Sequence, residues 1–580
     1  MFLLSGKPHA LAAAFVFACA PAWLCAQPAP EPETATVPKQ LVHSRRFMVV
    51  AANSLAARAG YDILRRGGSA VDAAIAAQLV LNLVEPQSSG IGGGGFLLHY
   101  AAKGAKLDAY DGRETAPAAA KPERFLGEDG KPVDWPGAIV SGKAAGVPGL
   151  LRMLELAHRE HGRLAWVELL APAIALAERG FPISPRLHAL VRADRFLAAD
   201  ERARRYFYLP DGSAKPAGTL LANPEFAAVL KRVAAEGSDA LYRGDIARDI
   251  VAAVRKPPRA GDLTEADLAA YRAKGREPLC GAYRRWKVCG MPPPSSGGFT
   301  VLQILKILQR FDLRALTPDS LEAVHLFAEA GRLAYADRNR YIADPDFAVV
   351  PLAALLDPRY LASRSKLIDT GHSMGRAESG DPARIASRFG IAEPLELPST
   401  THVSVVDAQG NAVAMTTSIE SVFGNRRMVH GFLLNNQLTD FAWAPEEGGR
   451  PVANRVEGGK RPRSSMAPTL VFDDNGRLHM VVGSPGGHSI INYVAQTLVN
   501  VLDRGMDIQQ AVSSPHAGSR NGPTDLERGT KLEALAPELR RMGHAVRIRA
   551  ETSGLHGIVR ARDGWAGGAD PRREGVALGD

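Results

Sequence analysis

Residues 399–418 read STTHVSVVDAQGNAVAMTTS, and they are the most informative segment for the fold of the chain. Residues 400–406 alternate valines with polar side chains, which is the pattern of a half-buried β-strand. Residues 407–411 are rich in turn-forming types, so the chain is predicted to reverse there. Residues 412–418 then predict the returning strand of an antiparallel hairpin.

The turn also predicts which side chains face one another across the hairpin. If it is centred on Gln409, Ser418 lies opposite Thr400, and Thr416 lies opposite His402. Opposed side chains share one face of a sheet and lie close together. Thr400 therefore gains a second hydroxyl group as its neighbour.

Thr400 is a candidate nucleophile, because a threonine at a chain terminus carries its own base, the α-amine. That amine exists only after the bond between Ser399 and Thr400 is cut. Residues 370–398 are polar and irregular, so an exposed loop leads into the strand. The junction suits self-cleavage, in which the Thr400 hydroxyl attacks the Ser399 carbonyl. From these residues alone, an ordinary edge strand rich in threonine is the commoner explanation.

The N-terminal half predicts two helices followed by a glycine run. Ser54 is the predicted cap of the first helix, and Ser69 caps a second, mostly apolar helix over residues 71–84. The glycines at 90–95 superficially match a dinucleotide-binding loop. Such a loop leaves a strand and opens a helix, whereas here a helix precedes and the strand-like residues 96–100 follow. Nucleotide binding is therefore excluded.

Composition predicts a globular protein, and the charge pattern and the one histidine-rich run argue against nucleic acid and a metal site. The chain has 580 residues, of which 46% are hydrophobic, which is enough for a large core. Its formal charge of +9 is scattered and lacks the interleaved aromatics of a nucleic-acid groove. Residues 158–161 read HREH, which matches neither zinc-protease spacing and stands at a predicted helix end.

The start of the chain predicts export. Residues 1–26 combine an early basic residue, an apolar run and small residues, as a secretory signal peptide does, and are too short for a membrane anchor. The mature chain then keeps Cys280 and Cys289, on either side of a predicted short hairpin. A disulfide and two free buried thiols both remain open for this pair.

Several separated motifs resemble γ-glutamyltranspeptidases, which are N-terminal-nucleophile hydrolases. They cover residues 67–74, 85–96, 111–117, 293–298, 335–346, 400–407, 433–440, 461–468 and 483–487. The resemblance implies an α+β fold, a four-layer αββα sandwich in one interleaved domain. It also implies a large subunit, residues 27–399, and a small subunit, residues 400–580, that stay together as a heterodimer after self-cleavage.

The resemblance also implies roles for the residues of the site. Thr400 is the nucleophile of both processing and catalysis, and Ser418 stands where the family places a second hydroxyl, usually a threonine. Gly486 and Gly487 open a predicted helix over residues 488–502, where free backbone N–H groups can bind an oxyanion. A metal or cofactor has no part in this scheme.

A second set of residues is expected to bind the substrate's amino-acid end. By resemblance, the α-carboxylate is bound by Arg113, Ser464 and Ser465, and the α-ammonium by Gln437 and Asp440. Position 420 departs from the family, because Glu420 stands where the transpeptidases generally have asparagine. A carboxylate can still bind an ammonium group, but the changed charge puts γ-glutamyl preference in question.

Three functional hypotheses follow from these residues. The first is a self-processing, periplasmic or secreted γ-glutamyltranspeptidase that acts on glutathione and related γ-glutamyl amides. The second is a cephalosporin-acylase-like amidase that takes glutaryl groups. The third is an unprocessed binding protein of the same fold without catalytic activity. Residues 444–459 are also shorter than the lid of many bacterial relatives and have no tyrosine, which predicts an open site.

Overall fold

A computed structural model describes residues 37–257, 259–384, 388–392 and 399–580 of the chain. In chain order its strands are β1 Val42–Ser44, β2 Met48–Ala51, β3 Gly94–Ala101, β4 Lys106–Gly112, β5 Phe181–Pro182, β6 Leu220–Leu221, β7 Lys274–Arg276, β8 Leu279–Tyr283, β9 Trp286–Gly290, β10 Thr401–Val406, β11 Ala412–Ser418, β12 Met428–Val429, β13 Phe432–Leu433, β14 Glu446–Glu447, β15 Arg450–Pro451, β16 Thr469–Phe472, β17 Leu478–Gly483, β18 Ala517–Ser519, β19 Thr524–Glu527, β20 Val546–Arg549, β21 His556–Ala561, β22 Gly564–Ala569 and β23 Val576–Gly579.

The α-helices are distributed along both halves of the chain. They are α1 Ser54–Arg65, α2 Ala70–Val84, α3 Trp135–Ile139, α4 Leu150–His161, α5 Trp166–Arg179, α6 Pro185–Ala193, α7 Glu201–Phe207, α8 Pro224–Glu236, α9 Asp239–Tyr242, α10 Gly244–Arg255, α11 Glu265–Ala270, α12 Gly297–Leu308, α13 Leu321–Tyr341, α14 Leu352–Leu355, α15 Pro358–Ser365, α16 Ile490–Leu502, α17 Ile508–Ser513 and α18 Ala536–Arg541.

Two seven-stranded sheets form the centre of the molecule. One has the strand order β1-β22-β21-β17-β16-β9-β8, and the other has the order β23-β2-β10-β11-β3-β4-β7. A hydrophobic layer between them is built from inward side chains such as Phe96, Leu98, Leu470 and Val481. Helices α1, α2 and α4 cover the outer face of the second sheet, and α12, α16 and α17 that of the first. The predicted αββα sandwich is confirmed.

Both central sheets mix strands from either side of the Ser399–Thr400 bond. Strands β10 and β11 lie between β2 and β3 of the N-terminal part, and β16 pairs with β9. Long-range strand pairing of this kind makes one structural unit of the two chain segments. The strand order therefore describes a single interleaved fold and not two separate domains.

The central hairpin has the register that the sequence predicts. His402 pairs with Thr416 and Thr401 with Thr417, so the turn is centred on Gln409. Strand β10 begins at Thr401, one residue later than expected, because Thr400, just before the start of this central strand, lies outside the ladder. The returning strand, Ala412–Ser418, has the predicted bounds.

The N-terminal helices differ from the prediction at one cap. Asn53, not Ser54, caps α1, and its side chain accepts a hydrogen bond of 2.9 Å from the Leu55 N–H. Ser69 caps α2 as predicted, in a reciprocal capping box with Asp72. The glycine run leads from α2 into β3, so the rejection of a dinucleotide loop stands. A Cβ on Gly93 would lie 2.1 Å from the Ser418 carbonyl oxygen, which explains a glycine beside the hairpin.

The two cysteines that the sequence places beside a hairpin are bonded to each other. Cys280 and Cys289 form a disulfide across the β8–β9 hairpin. The predicted signal peptide, residues 1–26, lies outside the described residues, as does part of the predicted loop at 370–398. None of the helices in the described ranges has both the length and the apolar character of a transmembrane span.

Candidate active site

The Thr400 side chain lies against the peptide bond that precedes it. Ser399 and Thr400 are both buried where the chain enters β10. The Thr400 hydroxyl contacts the Ser399 carbonyl oxygen, and the same oxygen accepts a 2.8 Å hydrogen bond from the Ser418 hydroxyl. The predicted nucleophile, the carbonyl of the predicted cleavage site and a hydrogen-bond donor to that carbonyl are thus in mutual contact.

Ser418 uses the full hydrogen-bonding capacity of its hydroxyl group. Besides donating to Ser399, its oxygen accepts a 2.8 Å bond from the Glu420 N–H and a 3.3 Å bond from the Thr400 hydroxyl. A hydroxyl has one proton to donate and two lone pairs, so this set saturates it. The Ser399 carbonyl can only accept, so the Ser418 hydroxyl donates to it when the Thr400 hydroxyl donates to Ser418.

Two further contacts fix the backbone on either side of the Ser399–Thr400 bond. The Ser399 hydroxyl donates to the Gln87 carbonyl at 2.7 Å. The Arg573 guanidinium donates to the Thr400 carbonyl at 3.0 Å and is held by the Ser553 carbonyl. Sequence reasoning missed Gln87 and Arg573, although Gln87 lies within the 85–96 motif.

Arg113 is fully buried and its guanidinium faces the predicted binding residues. Its Nε and one terminal nitrogen donate to the carbonyls of Pro462 and Arg463, and that nitrogen also forms an ion pair with Asp440. The other terminal nitrogen, Nη1, makes no hydrogen bond within the described residues and lies 3.8 Å from a Glu114 carboxylate oxygen. This leaves Nη1 as a donor that a ligand can use.

The acidic side of the site is built by β11 and the short 3₁₀ turn at Gln437–Asp440. The Gln437 amide donates to the Asp440 carboxylate at 2.7 Å. The Glu420 carboxylate accepts a hydrogen bond from the Asn436 amide, and its backbone has a left-handed φ of 78°. A non-glycine residue in this conformation is uncommon, and here it turns the chain directly after the Ser418 strand.

The two predicted serines follow Arg463 on an extended segment. The Ser464 hydroxyl accepts a 3.1 Å bond from the Met466 N–H, and the Ser465 hydroxyl accepts a 2.7 Å bond from Arg338. Because the Met466 N–H uses a lone pair of the Ser464 oxygen, the Ser464 hydroxyl hydrogen can be donated to an anion.

The predicted glycines lie at the start of α16, with a correction. The helix proper begins at Ile490, two residues later than predicted, because Gly487–Ser489 forms a 3₁₀ turn before it. Gly487 lines the same cavity as Thr400 and Gly486 does not; a Cβ on Gly486 would lie 2.6 Å from the Tyr493 ring. A φ of 130° at Gly486 explains the glycine there.

One small cavity brings these residues together. It is lined by Arg113, Ser399, Thr400, Ser418, Glu420, Gln437, Asp440, Ser464, Ser465, Met466, Gly487 and Ile490. Of the residues predicted from the sequence, all but Gly486 are among them. Met466 and Ile490 are apolar wall residues that no chemical pattern in the sequence could identify.

Burial perturbs two titratable groups near the cavity. Burial raises the pKa of Glu114 to about 8, although the neighbouring Arg113 guanidinium acts in the opposite direction. Burial also holds the pKa of His402 well below its usual range. His402 bonds to the hydroxyls of Thr416 and Ser404 at 2.8 and 3.0 Å. A neutral imidazole in such a position supports the hairpin and is not a charged participant.

Comparisons with known proteins identify the family of the chain. The gamma-glutamyltranspeptidase family model matches residues 56–580. The chain belongs to the gamma-glutamyltranspeptidase family. A glutathione hydrolase proenzyme of Bacillus subtilis strain 168 is 38% identical over 553 residues, covering 93% of this chain and 92% of the relative. The Acylase ACY 1 proenzyme of Pseudomonas sp. strain SE83 is 37% identical over 555 residues, covering 93% and 95%.

A solved structure extends the likeness to the fold. The cephalosporin acylase of Bacillus halodurans superimposes with a TM-score of 0.80 at 26% identity, covering 95% of this chain and 99% of that one. The family resemblance and the N-terminal-nucleophile hydrolase fold are confirmed. The chain is an enzyme of the gamma-glutamyltranspeptidase family, which removes support from the hypothesis of a binding protein without catalytic activity.

Proposed function

We propose that the chain cuts itself between Ser399 and Thr400, and that the freed Thr400 then cleaves γ-glutamyl amides such as glutathione. The observation that carries the proposal is the Ser399 carbonyl, which meets the Thr400 hydroxyl on one side and the Ser418 hydroxyl, at 2.8 Å, on another. Carbonyl oxygens take up negative charge when a nucleophile adds, and a fixed donor stabilises that charge.

The cut proceeds in two steps. The Thr400 oxygen adds to the Ser399 carbonyl carbon, the carbon–nitrogen bond breaks, and the nitrogen receives the proton as it becomes the α-amine. The resulting ester between Ser399 and Thr400 is then opened by water, which leaves a carboxylate on Ser399 and restores the Thr400 hydroxyl. No external reactant other than water is required.

The new α-amine supplies the base that the precursor lacks. In turnover it takes the proton of the Thr400 hydroxyl, which attacks the γ-carbonyl of the substrate to give an acyl-enzyme and the leaving amine. Water or the amino group of an acceptor then resolves the acyl-enzyme. Ser418 remains in contact with the nucleophile, and the Gly487 backbone at the start of the α16 turn is the proposed oxyanion donor with Gly486.

The charges of the cavity favour an acyl group that ends in an α-amino acid. Arg113, Ser464 and Ser465 offer donors to a carboxylate, while Asp440 and Glu420 offer negative charge to an ammonium group. Gln437 adds an amide beside Asp440. A γ-glutamyl group carries both charges at one carbon, and it is complementary to this arrangement.

A glutaryl group is the second candidate, because a relative of similar identity is named an acylase. A glutaryl group has the carboxylate but lacks the ammonium. Two carboxylates, Asp440 and Glu420, would then face a ligand without a cation. The α-ammonium of a γ-glutamyl group would add an attraction to these carboxylates that a glutaryl group cannot make, so the cavity favours the γ-glutamyl group.

We also propose that the mature enzyme is exported and works as a heterodimer of its two fragments. Residues 1–26 are the proposed signal peptide, residues 27–399 the large subunit and residues 400–580 the small subunit. The Cys280–Cys289 disulfide supports an oxidising compartment such as the periplasm or the exterior. Disulfides are rare in reducing cytosol.

N-terminal sequencing of the purified protein tests the cut, and a pair of anilides tests the substrate. The small fragment is expected to begin with Thr400, and the large fragment after residue 26. Turnover is expected to be faster by kcat/KM on γ-glutamyl anilide than on glutaryl anilide. Faster glutaryl turnover would favour the acylase function, and an uncut chain that still hydrolyses amides would refute the proposed mechanism.

A further inference from the structure

A second cluster of chemically active side chains lies where the end of α4 meets the β3–β4 hairpin. His99 and Asp108 are direct cross-strand partners on β3 and β4. His161, the last residue of α4, stacks its ring on that of His99 at 3.8 Å. The HREH run, which has no metal-binding spacing of its own, thus contributes a histidine to a cluster formed by the fold.

The ligand atoms of this cluster converge. His99 Nδ1 lies 3.8 Å and His161 Nε2 lies 3.4 Å from the same Asp108 oxygen, Oδ2. With metal–nitrogen and metal–oxygen distances near 2.1 Å, neighbouring ligands of a tetrahedral zinc ion stand about 3.4 Å apart. Both nitrogen–oxygen distances are therefore within a few tenths of an ångström of the value for a zinc site. Binding also requires the His161 ring to rotate out of its stack on His99.

Two of these atoms are buried without a hydrogen bond. His99 is 3% exposed, and neither its Nδ1 nor Asp108 Oδ2 has a hydrogen-bond partner within the described part of the chain. Buried polar atoms are ordinarily paired, and an unpaired set aimed at one point indicates a missing ligand. Lys106 pairs with the other Asp108 oxygen at 2.9 Å and is itself largely exposed, so it leaves Oδ2 accessible.

We propose that His99, Asp108 and His161 bind one divalent transition-metal ion, with Zn²⁺ as the best fit. Two imidazoles and a carboxylate are a common zinc ligand set, and neutral imidazole and carboxylate both suit this ion. Glu160 completes the coordination or orients a water there, since its Oε2 lies 3.9 Å from His161 Nε2. The Tyr110 hydroxyl lies 2.6 Å from both Glu160 Oε2 and His161 Nε2, so metal binding would replace the Tyr110–His161 hydrogen bond.

The metal would be structural and not part of amide cleavage. Gly94 of β3 pairs with Ser418, and His99 follows it by five residues. Five residues of strand span roughly 16 Å, so the ion would stand well away from the Thr400 site. Its effect is to tie the C-terminal end of α4 to the second sheet.

A second histidine cluster in the described residues provides the contrast. His325, Glu329 and His544 also converge, but the two rings are hydrogen-bonded to each other at 2.7 Å. Glu329 accepts bonds from Arg332, Ser373 and the Met374 N–H. Every ligand atom of this second cluster is paired and the Arg332 guanidinium lies against it, whereas His99 Nδ1 and Asp108 Oδ2 have no hydrogen bond within the described residues; the second cluster is therefore a hydrogen-bond network and not a metal site.

Cobalt binding to the chelator-treated full-length enzyme tests the proposal, since four-coordinate Co²⁺ has intense visible absorption. One Co²⁺ per chain, displaced by Zn²⁺, and a higher melting temperature with either ion are expected. His161→Gln and Asp108→Asn should each weaken binding by at least about tenfold while γ-glutamyl turnover stays unchanged. His372→Gln, at an exposed histidine, is the matched control and should bind normally.

Three results would overturn the site. They are wild-type Co²⁺ affinity in both His161→Gln and Asp108→Asn, loss of binding in His372→Gln, and loss of binding in His544→Gln with His161→Gln unaffected. Folding of each variant is checked by its amide-cleaving activity, because the cluster is remote from Thr400. These outcomes are independent of the substrate proposal, which depends on the anilide comparison.

Discussion

The Ser418 hydroxyl offers the most informative test of self-cleavage. In the uncut chain it donates to the Ser399 carbonyl at 2.8 Å, and its own oxygen is held by the Glu420 N–H at 2.8 Å. Ser418→Ala removes the donor to the carbonyl on which negative charge develops. Ser418→Thr retains the hydroxyl and adds only a methyl group, which makes it the matched control.

The expected slowing is smaller than for an oxyanion donor that acts only in the transition state. Removing such a donor costs about 2.7–4 kcal/mol of activation energy. Here the hydrogen bond to the carbonyl is already formed in the ground state, where it is worth about 1 kcal/mol net. The difference of about 2–3 kcal/mol predicts that Ser418→Ala splits roughly 30- to 150-fold more slowly than the wild type.

The assay follows newly synthesised precursor over time on denaturing gels. The small fragment is identified by its N-terminal sequence, which should start at Thr400. Ser418→Thr should split within a few-fold of the wild-type rate. Splitting of Ser418→Ala at the wild-type rate would refute the role of this donor. Equal slowing of the alanine and threonine variants would show that packing, and not the hydroxyl, is responsible.

Three further predictions concern the nucleophile and its pocket. Thr400→Ala should abolish both splitting on a denaturing gel and amide hydrolysis, while Thr400→Ser keeps splitting. Arg113→Lys loses the planar fork beside Asp440 and should raise KM by roughly 10- to 150-fold, or about 1.5–3 kcal/mol, with a smaller change in kcat; an effect on kcat alone would contradict a binding role. The melting temperature of Glu114→Gln, relative to that of its parent, should rise between about pH 5 and about pH 8 when both proteins carry Thr400→Ala and stay uncut. Burial raises the pKa of Glu114 from 4.5 to about 8, so between these pH values the native parent keeps a proton that its unfolded chain has lost. The stability of the parent therefore falls as the pH rises, and the glutamine variant lacks this loss. A difference in melting temperature that stays constant with pH would refute the prediction.

Local features of the site were predictable because the chain near Thr400 specifies them. The turn residues fix the centre of the hairpin at Gln409, and strand periodicity then places Ser418 beside Thr400. The first helix cap was wrong by one residue because Asn53 and Ser54 are both capping types. When two adjacent residues are both good N-caps, the sequence pattern alone does not show which of them begins the helix.

Long-range contacts could not be predicted from pattern. Arg113 meets Asp440 across 327 positions of sequence, and only the family resemblance placed both in one pocket. Arg573 reaches the Thr400 carbonyl across 173 positions and lies in a basic run that reads as surface charge. Whether Cys280 is oxidised depends on its distance from Cys289 across the hairpin and on the redox environment, and the sequence states neither.

The strand order explains how cleavage can free Thr400 without releasing a fragment. Strand β10 is hydrogen-bonded to β2 on one side and to β11 on the other, and its ladder begins only at Thr401. A cut before Thr400 therefore breaks none of these bonds, while Arg573 still holds the Thr400 carbonyl at 3.0 Å. The new amine would form just before the start of a central strand in an intact sheet, next to a hydroxyl that is already in position. We therefore expect the two fragments to co-elute in gel filtration under native conditions, since separating them would require breaking the ladders of both central sheets.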